Sequence, residues 1–270
     1  METEFHEAWL EFKEFWDVGA RKSRLPSIPI YRMMRTYLSP FLRLFLKLRM
    51  YGLNNIPRKG KIILAANHLS HVDPIMVIAA ARRTTHYMAK DGHFEKPLVR
   101  TLMNQTGQIE TKRETGASDA LKKSVKVLKA NRSLGIFPEG TRSKRKEKPY
   151  LLPGKTGIAR VASAQPDAIV IPMALMGTRD MMEPGKDKLP KLWKTITINA
   201  GEGVSWYQWL SHVNGGDMSV SKLKDLRSKE EHEIRTELAR LYRKFTDQIM
   251  GSIKALEAPG GLVSNKGLIA

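Results

Sequence analysis

The feature that most constrains this chain is a polar hinge between two apolar runs, residues 67–74, Asn-His-Leu-Ser-His-Val-Asp-Pro. Before it, Lys61-Ile-Ile-Leu-Ala-Ala has the length and unbroken apolar character of a strand buried on both faces. After it, Asp73-Pro74 leads into Ile75-Met-Val-Ile-Ala-Ala-Ala, where an acidic N-cap and a first-turn proline open a helix. A buried strand passing at once into a helix is the unit of an α/β sheet. In one regular helix His68 and Asp73, five residues apart, would lie roughly 140° apart around the axis and could not touch. The proline implies a bend that folds them together. A carboxylate bonded to one imidazole nitrogen fixes the tautomer and leaves the other nitrogen basic, as removal of a hydroxyl proton requires.

Capping alone would explain Asp73, so a second stretch matters. Phe137-Pro-Glu-Gly-Thr-Arg-Ser143 again follows a short apolar strand pattern, Ser133-Leu-Gly-Ile-Phe. Loops at the carboxyl ends of parallel strands converge on one crevice, so the two stretches point to one site. The rest of the chain alternates in the same way. Helices are expected near 74–83, 94–104 and 118–130, strands at 85–89, 107–111, 134–137, 168–175 and 195–200, and a terminal amphipathic helix over 222–257. The expected fold is α/β, a largely parallel central sheet flanked by helices.

Charge adds a second constraint. The formal net charge is +19, which calls for an anionic partner: nucleic acid, a membrane surface or phosphorylated substrates. From Val18 to Val72 no acidic residue occurs, while Arg32, Arg35, Ser39, Arg43, Lys47 and Arg49 fall within about 160° of a helical wheel. The remaining arc carries Met33, Met34, Tyr37, Leu38, Phe41, Leu42, Phe45, Leu46 and Leu48, the pattern of helices lying in an anionic interface, with Ser39-Pro40 splitting them in two. The expected organisation is an acidic helix and basic linker (1–27), amphipathic membrane-surface helices (28–52), an α/β domain (53–258) and a flexible tail (259–270). In the first segment Phe5, Trp9, Phe12 and Trp16 form an aromatic stripe suited to core or subunit contact. No stretch reaches the ~18 uncharged apolar residues of a spanning helix, and the acidic amino terminus argues against a cleaved secretory signal. The absence of Cys removes disulfides, thiolate metal sites and a cysteine nucleophile. Few aromatics interleave the basic runs, which argues against nucleic acid.

Several spaced blocks now stand in order: His68 to Asp73 as His-x4-Asp; Gly107, Ile109 and Arg113; Glu139-Gly-Thr-Arg142; Lys155 with Gly157; and Val170-Ile-Pro-Met-Ala. Together, over roughly residues 31–205, they resemble the glycerolipid acyltransferases, most closely the lysophosphatidic acid acyltransferase branch. The resemblance implies transfer of a fatty acyl group from acyl-CoA or acyl carrier protein to the sn-2 hydroxyl of lysophosphatidic acid, giving phosphatidic acid, on the cytoplasmic side of a membrane, by a peripheral or monotopic protein. It implies no cofactor and no metal. His68 is then the general base, oriented by Asp73, and Lys90, Arg113, Glu139, Gly140, Thr141 and Arg142 occupy substrate-binding positions. The arginines suit a phosphate. Backbone N–H groups around Gly140 and Thr141 are candidate oxyanion donors, and Glu139 holds a neighbouring group rather than moving protons. Ser70 is not assigned as a nucleophile, because the family pattern does not use it.

Glu110-Thr-Lys before Arg113 departs from the apolar strand that the family carries there. Glycerol 3-phosphate, another lysophospholipid or a glycolipid remain alternative acceptors. Two readings from other classes are a metal-dependent hydrolase using His68, His71 and Asp73 with His86 and His93, and a non-catalytic basic binding protein.

Overall fold

The structure, a computed structural model, describes residues 2–20, 25, 28–33, 36–37, 39–90, 101, 107–111 and 116–258. Four helices come first: α1 (Glu2–Leu10), α2 (Lys13–Trp16), α3 (Pro29–Met33) and α4 (Ser39–Phe45). Strands β1 (Leu48–Tyr51) and β2 (Ile62–Ala66) lead to α5 (Asp73–Ala81), and β3 (Thr85–Lys90) and β4 (Ile109–Thr111) to α6 (Gly116–Lys129). Then follow β5 (Ser133–Ile136), α7 (Gly157–Ala164), β6 (Ile169–Met176), α8 (Thr178–Met181), β7 (Ile196–Ala200) and β8 (Val204–Ser205). Three helices close the described chain: α9 (Trp206–Ser211), α10 (Val220–Arg227) and α11 (Glu231–Glu257).

One sheet runs in the order β1-β7-β6-β2-β5-β3-β4, with β8 beside the start of β6. The expected α/β architecture is the one observed, and β2, β3, β4, β5 and β6 are mutually parallel. β7 is antiparallel to β6, and β1 parallel to β7, so these two strands run against the rest. This reversal has a geometric consequence. The amino ends of β1 and β7 lie at the end of the sheet where β2, β5 and β6 finish, so the segments entering β1 and β7 arrive at the rim from which both polar loops leave.

The sheet is covered on both faces. On one, Trp9, Trp206, Trp209 and Phe245 pack with Ile63, Ala65 and Leu134; on the other, Tyr31, Leu46 and Val77 pack with Ile62 and Leu64. Alternate residues of β2 serve the two cores, which explains its unbroken apolar run.

Several expectations are corrected here. Leu48–Tyr51 is an edge strand rather than the end of an amphipathic helix, because pairing with Ile196–Asn199 satisfies its backbone. Leu42 and Leu46 pack on the core, whereas Phe41, Leu44 and Phe45 are 53%, 77% and 63% exposed. Arg43 is half-buried and turned toward the protein: its Nε and Nη2 donate to Ala79 O at 3.1 and 2.6 Å, binding a carbonyl at the end of α5. The amino-terminal aromatic stripe is core, with Trp9 Nε1 donating to Ser163 O at 3.2 Å, although a turn after Leu10 breaks its helix. Its carboxylates meet basic residues of α10, Glu4–Lys224 at 3.3 Å and Glu14–Arg227 at 2.9 Å. The terminal amphipathic stretch is two helices, α10 and α11. Apart from Thr101, the helix expected over 94–104 lies outside the described residues, as do Met34, Arg35, Leu38, His93, Arg113 and the tail from 259.

Candidate active site

β2 ends at Ala66 and delivers Asn67 and His68 to the carboxyl end of the sheet. Asn67 is fully buried and splices this turn to β6: Oδ1 accepts from Leu175 N–H at 2.7 Å, while Nδ2 donates to Leu175 O at 2.9 Å and to Glu257 Oε1 at 2.8 Å. Asp73 is the first residue of α5, and Val72 is its N-cap, so the capping role expected for Asp73 is corrected. Its carboxylate turns back over the preceding residues instead. Oδ2 accepts from His68 Nδ1 at 2.9 Å, from Leu69 N–H at 2.6 Å and from Ser70 N–H at 2.7 Å. Three donors on one oxygen compensate a carboxylate with no solvent exposure. The Asp73 bond places the imidazole proton on Nδ1 and leaves Nε2 as the basic atom.

The second loop grips the first through backbone as well as side chain. Glu139 Oε1 accepts from His68 N–H at 2.6 Å, and Ser143 N–H donates to His68 O at 2.9 Å. The other Glu139 oxygen, Oε2, accepts from Leu152 N–H at 2.9 Å. Burial pushes the Glu139 carboxyl up to about 7, and nearby Asp73 and Glu257 push the same way, outweighing the two N–H bonds that lower it. Glu139 is 2% exposed and has both oxygens engaged by backbone N–H groups, so it ties the histidine loop to the second loop.

Phe137 supplies what sequence reading missed. Its ring stacks on His68 at 4.0 Å between centroids and 10° between planes, and Tyr87 lies beyond it at 5.3 Å. Tyr87 has room because position 135 is glycine, where a Cβ would stand 2.2 Å from the tyrosine ring. The His68 imidazole is thus fixed by a hydrogen bond at its edge and a ring against its face.

The remaining expected residues divide. Gly140 takes φ +70° in a turn closed by its own N–H donating to Phe137 O at 2.9 Å, so that N–H is spent and the expectation of an oxyanion donor is corrected for Gly140. No described residue accepts the Thr141 N–H. Lys155 lies over the turn, with Nζ 3.1 Å from where a Gly140 Cβ would stand. Arg142 Nη1 meets His71 Nε2, placing a guanidinium beside the His68 hinge. Lys90 closes β3, two strands from β2 at the same end of the sheet, and Arg113 lies two residues past β4, outside the described residues. Ser70 Oγ donates to Met182 O at 2.7 Å, anchoring the hinge to the residue after α8. His86, named in the metal reading, is buried with Nδ1 on Gly107 O at 2.8 Å, and burial lowers its pKa. Among the described residues no three His, Asp or Glu side chains form a group that could hold a metal ion. Beside Phe137, Gly140 and Lys155 opens a cavity of about 630 Å³, walled further by Trp16, Leu121, Ile158 and Leu238.

A family model described as Acyltransferase matches residues 47–176, bounds that enclose β1 through β6 and both polar loops. Over those residues the chain is similar to that family. The chain is 31% identical over 152 residues to the chloroplastic 1-acyl-sn-glycerol-3-phosphate acyltransferase LPAT1 of Arabidopsis thaliana, a match covering 53% of this chain and 40% of that protein. It is 34% identical over 101 residues to the 1-acyl-sn-glycerol-3-phosphate acyltransferase of Borreliella burgdorferi, covering 37% and 40%. A Bacillus subtilis protein of the same name is 27% identical over 164 residues, covering 59% and 79%. The chain therefore spans about two fifths of the length of the first two relatives. The crystal structure of the 1-acyl-sn-glycerophosphate (LPA) acyltransferase PlsC from Thermotoga maritima shares the fold, with TM-score 0.52 and 18% identity over 96% of this chain and 95% of that one. Within the matched residues, the histidine hinge and the Glu139 turn are neighbours in space although 71 residues apart in sequence.

Proposed function

We propose that the chain transfers an acyl group from a thioester, acyl-CoA or acyl carrier protein, to the sn-2 hydroxyl of lysophosphatidic acid, giving phosphatidic acid. The observation that carries this reading is the His68 Nδ1 to Asp73 Oδ2 bond at 2.9 Å, in which the carboxylate is held by two further backbone N–H groups. Nε2 takes the proton as the hydroxyl oxygen attacks the thioester carbonyl. The carbon–sulfur bond then breaks, and the imidazolium returns its proton to the leaving thiolate. A thioester is already activated, so positioning and proton transfer suffice without a metal or a covalent enzyme intermediate. Thr141 N–H is the backbone donor assigned to the oxyanion, and Lys155 a cation beside it.

Arg142, Lys90 and Arg113 are assigned to the acceptor phosphate. The cavity beside Phe137 has the volume of a small-ligand site, for which about 300–1,000 Å³ is usual, and mostly apolar walls that suit an acyl chain. No described helix is long and apolar enough to cross a membrane. Exposed Phe41, Leu44 and Phe45 on an acid-free segment support peripheral attachment to an anionic membrane, on the cytoplasmic side where thioester donors are found. The experiment is an acyl-transfer assay on the purified chain against lysophosphatidic acid, glycerol 3-phosphate and other lysophospholipids, reading released thiol. Transfer to lysophosphatidic acid is expected to exceed the others, and preference for a different acceptor would replace this one.

A further inference from the structure

The loop from α8 to β7, residues 182–195, carries side chains that the acyl-transfer site does not use. Leu189, Leu192 and Trp193 are 80%, 54% and 67% exposed, and Lys186, Lys188 and Lys194 beside them are exposed too. The loop is braced from within. Lys191 N–H donates to Met181 O at 2.8 Å and Lys194 N–H to Lys191 O at 3.1 Å. Its two carboxylates are engaged by neighbouring cations, Glu183 with Arg179 of α8 at 3.1 Å and with Lys186 at 3.3 Å, and Asp187 with Lys191 at 2.9 Å. This leaves Lys188 and Lys194 as the outward cations without a carboxylate among the described residues, and Lys186 exposed beside its partner. What faces outward is therefore apolar and cationic.

Its position gives these side chains a meaning. The loop enters β7 where Ile196 N–H donates to Lys47 O at 2.9 Å, two residues after α4 ends at Phe45. Exposed Phe41, Leu44 and Phe45 thus stand at the same rim, the rim that holds His68. The root of the loop is also bound to the hinge, since Met182 O accepts the Ser70 hydroxyl.

We propose that residues 183–195 are a second membrane-docking element, seating Leu189, Leu192 and Trp193 in the interfacial layer of an anionic bilayer while Lys186, Lys188 and Lys194 meet its headgroups. Single apolar side chains alternating with lysines suit a fluid anionic surface, and tryptophan is favoured at that depth. A protein partner calls for one contiguous complementary patch instead. With α4, the loop gives two points of attachment, which fix how the crevice faces the lipid as one point cannot.

The test uses the full chain with vesicles of phosphatidylcholine, with and without phosphatidylglycerol. Replacing Leu189, Leu192 and Trp193 together by Ser should weaken flotation about tenfold or more. Replacing Lys186, Lys188 and Lys194 by Gln should weaken binding about fivefold per lysine on anionic vesicles and leave neutral vesicles unaffected. Thermal unfolding should barely change, because these side chains are exposed and the Lys186–Glu183 pair among them is a surface one. Lipids brominated in the acyl chains should quench Trp193 fluorescence, and Trp193→Phe should remove most of that quenching, since Trp9, Trp206 and Trp209 are buried and Trp16, half-buried in the cavity wall, is the one other tryptophan a lipid chain could reach. Wild-type flotation by the triple Ser variant, or an unquenched Trp193, would overturn the proposal. So would binding of an acidic carrier protein through these three residues in vesicle-free solution. Transfer to a short-chain, monomeric acceptor should stay at the wild-type rate in both variants. If the wild type performs no acyl transfer, the catalytic reading fails while the vesicle result stands on its own.

Discussion

The hinge around His68 and the rim around Phe41 and Trp193 sit at the same end of the sheet and are built on opposite rules. At the hinge, charged and polar atoms are buried and nearly every one has a partner: Asn67, Asp73 and Glu139 are at most 2% exposed and together accept or donate eight hydrogen bonds. At the rim, apolar side chains stand in the open, and the cations beside them are arranged outward. Burial without a partner is what destabilises a polar group, and exposure without a partner is what marks an apolar one for a surface to come. The first region holds one atom, His68 Nε2, in place. The second leaves its contacts to be made by something else.

Mutations can break this contrast, and the largest effect is expected at the base. His68→Ala should lower turnover by about 10²–10⁴-fold or more with an unchanged far-ultraviolet spectrum, and near-normal activity would remove the assignment. Asp73→Asn should come next. An amide can accept the backbone N–H bonds on its oxygen, but its amino group lets the imidazole take the other tautomer, so a loss of about 10²-fold or more in kcat is expected with smaller change in KM. An unchanged rate would reduce Asp73 to a brace for the turn.

Glu139 sharpens the comparison through pH. Its carboxyl is raised from 4.5 to about 7 in the folded chain, so the fold binds this proton more tightly than the unfolded chain does. Stability should therefore fall as pH rises from about 4.5 to about 7, by on the order of 3 kcal/mol from this group, and stay low above that window. Glu139→Gln should abolish that decline in a denaturant series run at several pH values. At low pH it should also destabilise by about 1–3 kcal/mol, because one of the two N–H bonds is lost. A pH dependence identical to wild type would show that another group carries it.

The smallest effect is expected at the rim. Phe41→Ser, Leu44→Ser and Phe45→Ser together should release the chain from anionic vesicles while altering thermal stability by less than about 1 kcal/mol, because the three side chains lie outside the core. Leu42→Ser or Leu46→Ser should instead destabilise, and the opposite pattern would invert the assignment of the two faces of α4.

How much of this was legible in sequence follows from the same contrast. The His68–Asp73 pairing and the Glu139 turn were readable because polar residues interrupting apolar strands need a reason, and their spacing supplied one. The task of Glu139 as a backbone acceptor, the spending of Gly140 N–H inside its turn and the stack of Phe137 on His68 were not readable, because each depends on which atoms two distant loops bring within reach. β1 was hidden for another reason. Leu-Arg-Met-Tyr continues the basic amphipathic run, and four residues hold too little alternation to separate strand from helix until β7 pairs with them. The 182–195 loop has no period at all, so its exposed tryptophan became visible only as a surface. The polarity of Asp73-Pro74 marked the helix start within one residue but misjudged the task of the carboxylate, which serves the turn behind it.

The chain reversal between β6 and β7 decides at which end of the sheet α4 enters. Had β7 run with its neighbours, the greasy arm of α4 would enter the sheet at the far pole, and the molecule would settle on lipid with its crevice turned toward bulk water. A poorly soluble acceptor would then have to leave the leaflet to meet the imidazole. On the proposed docking, the reversal means that such an acceptor would need only to diffuse sideways, and the direction of one strand decides between the two.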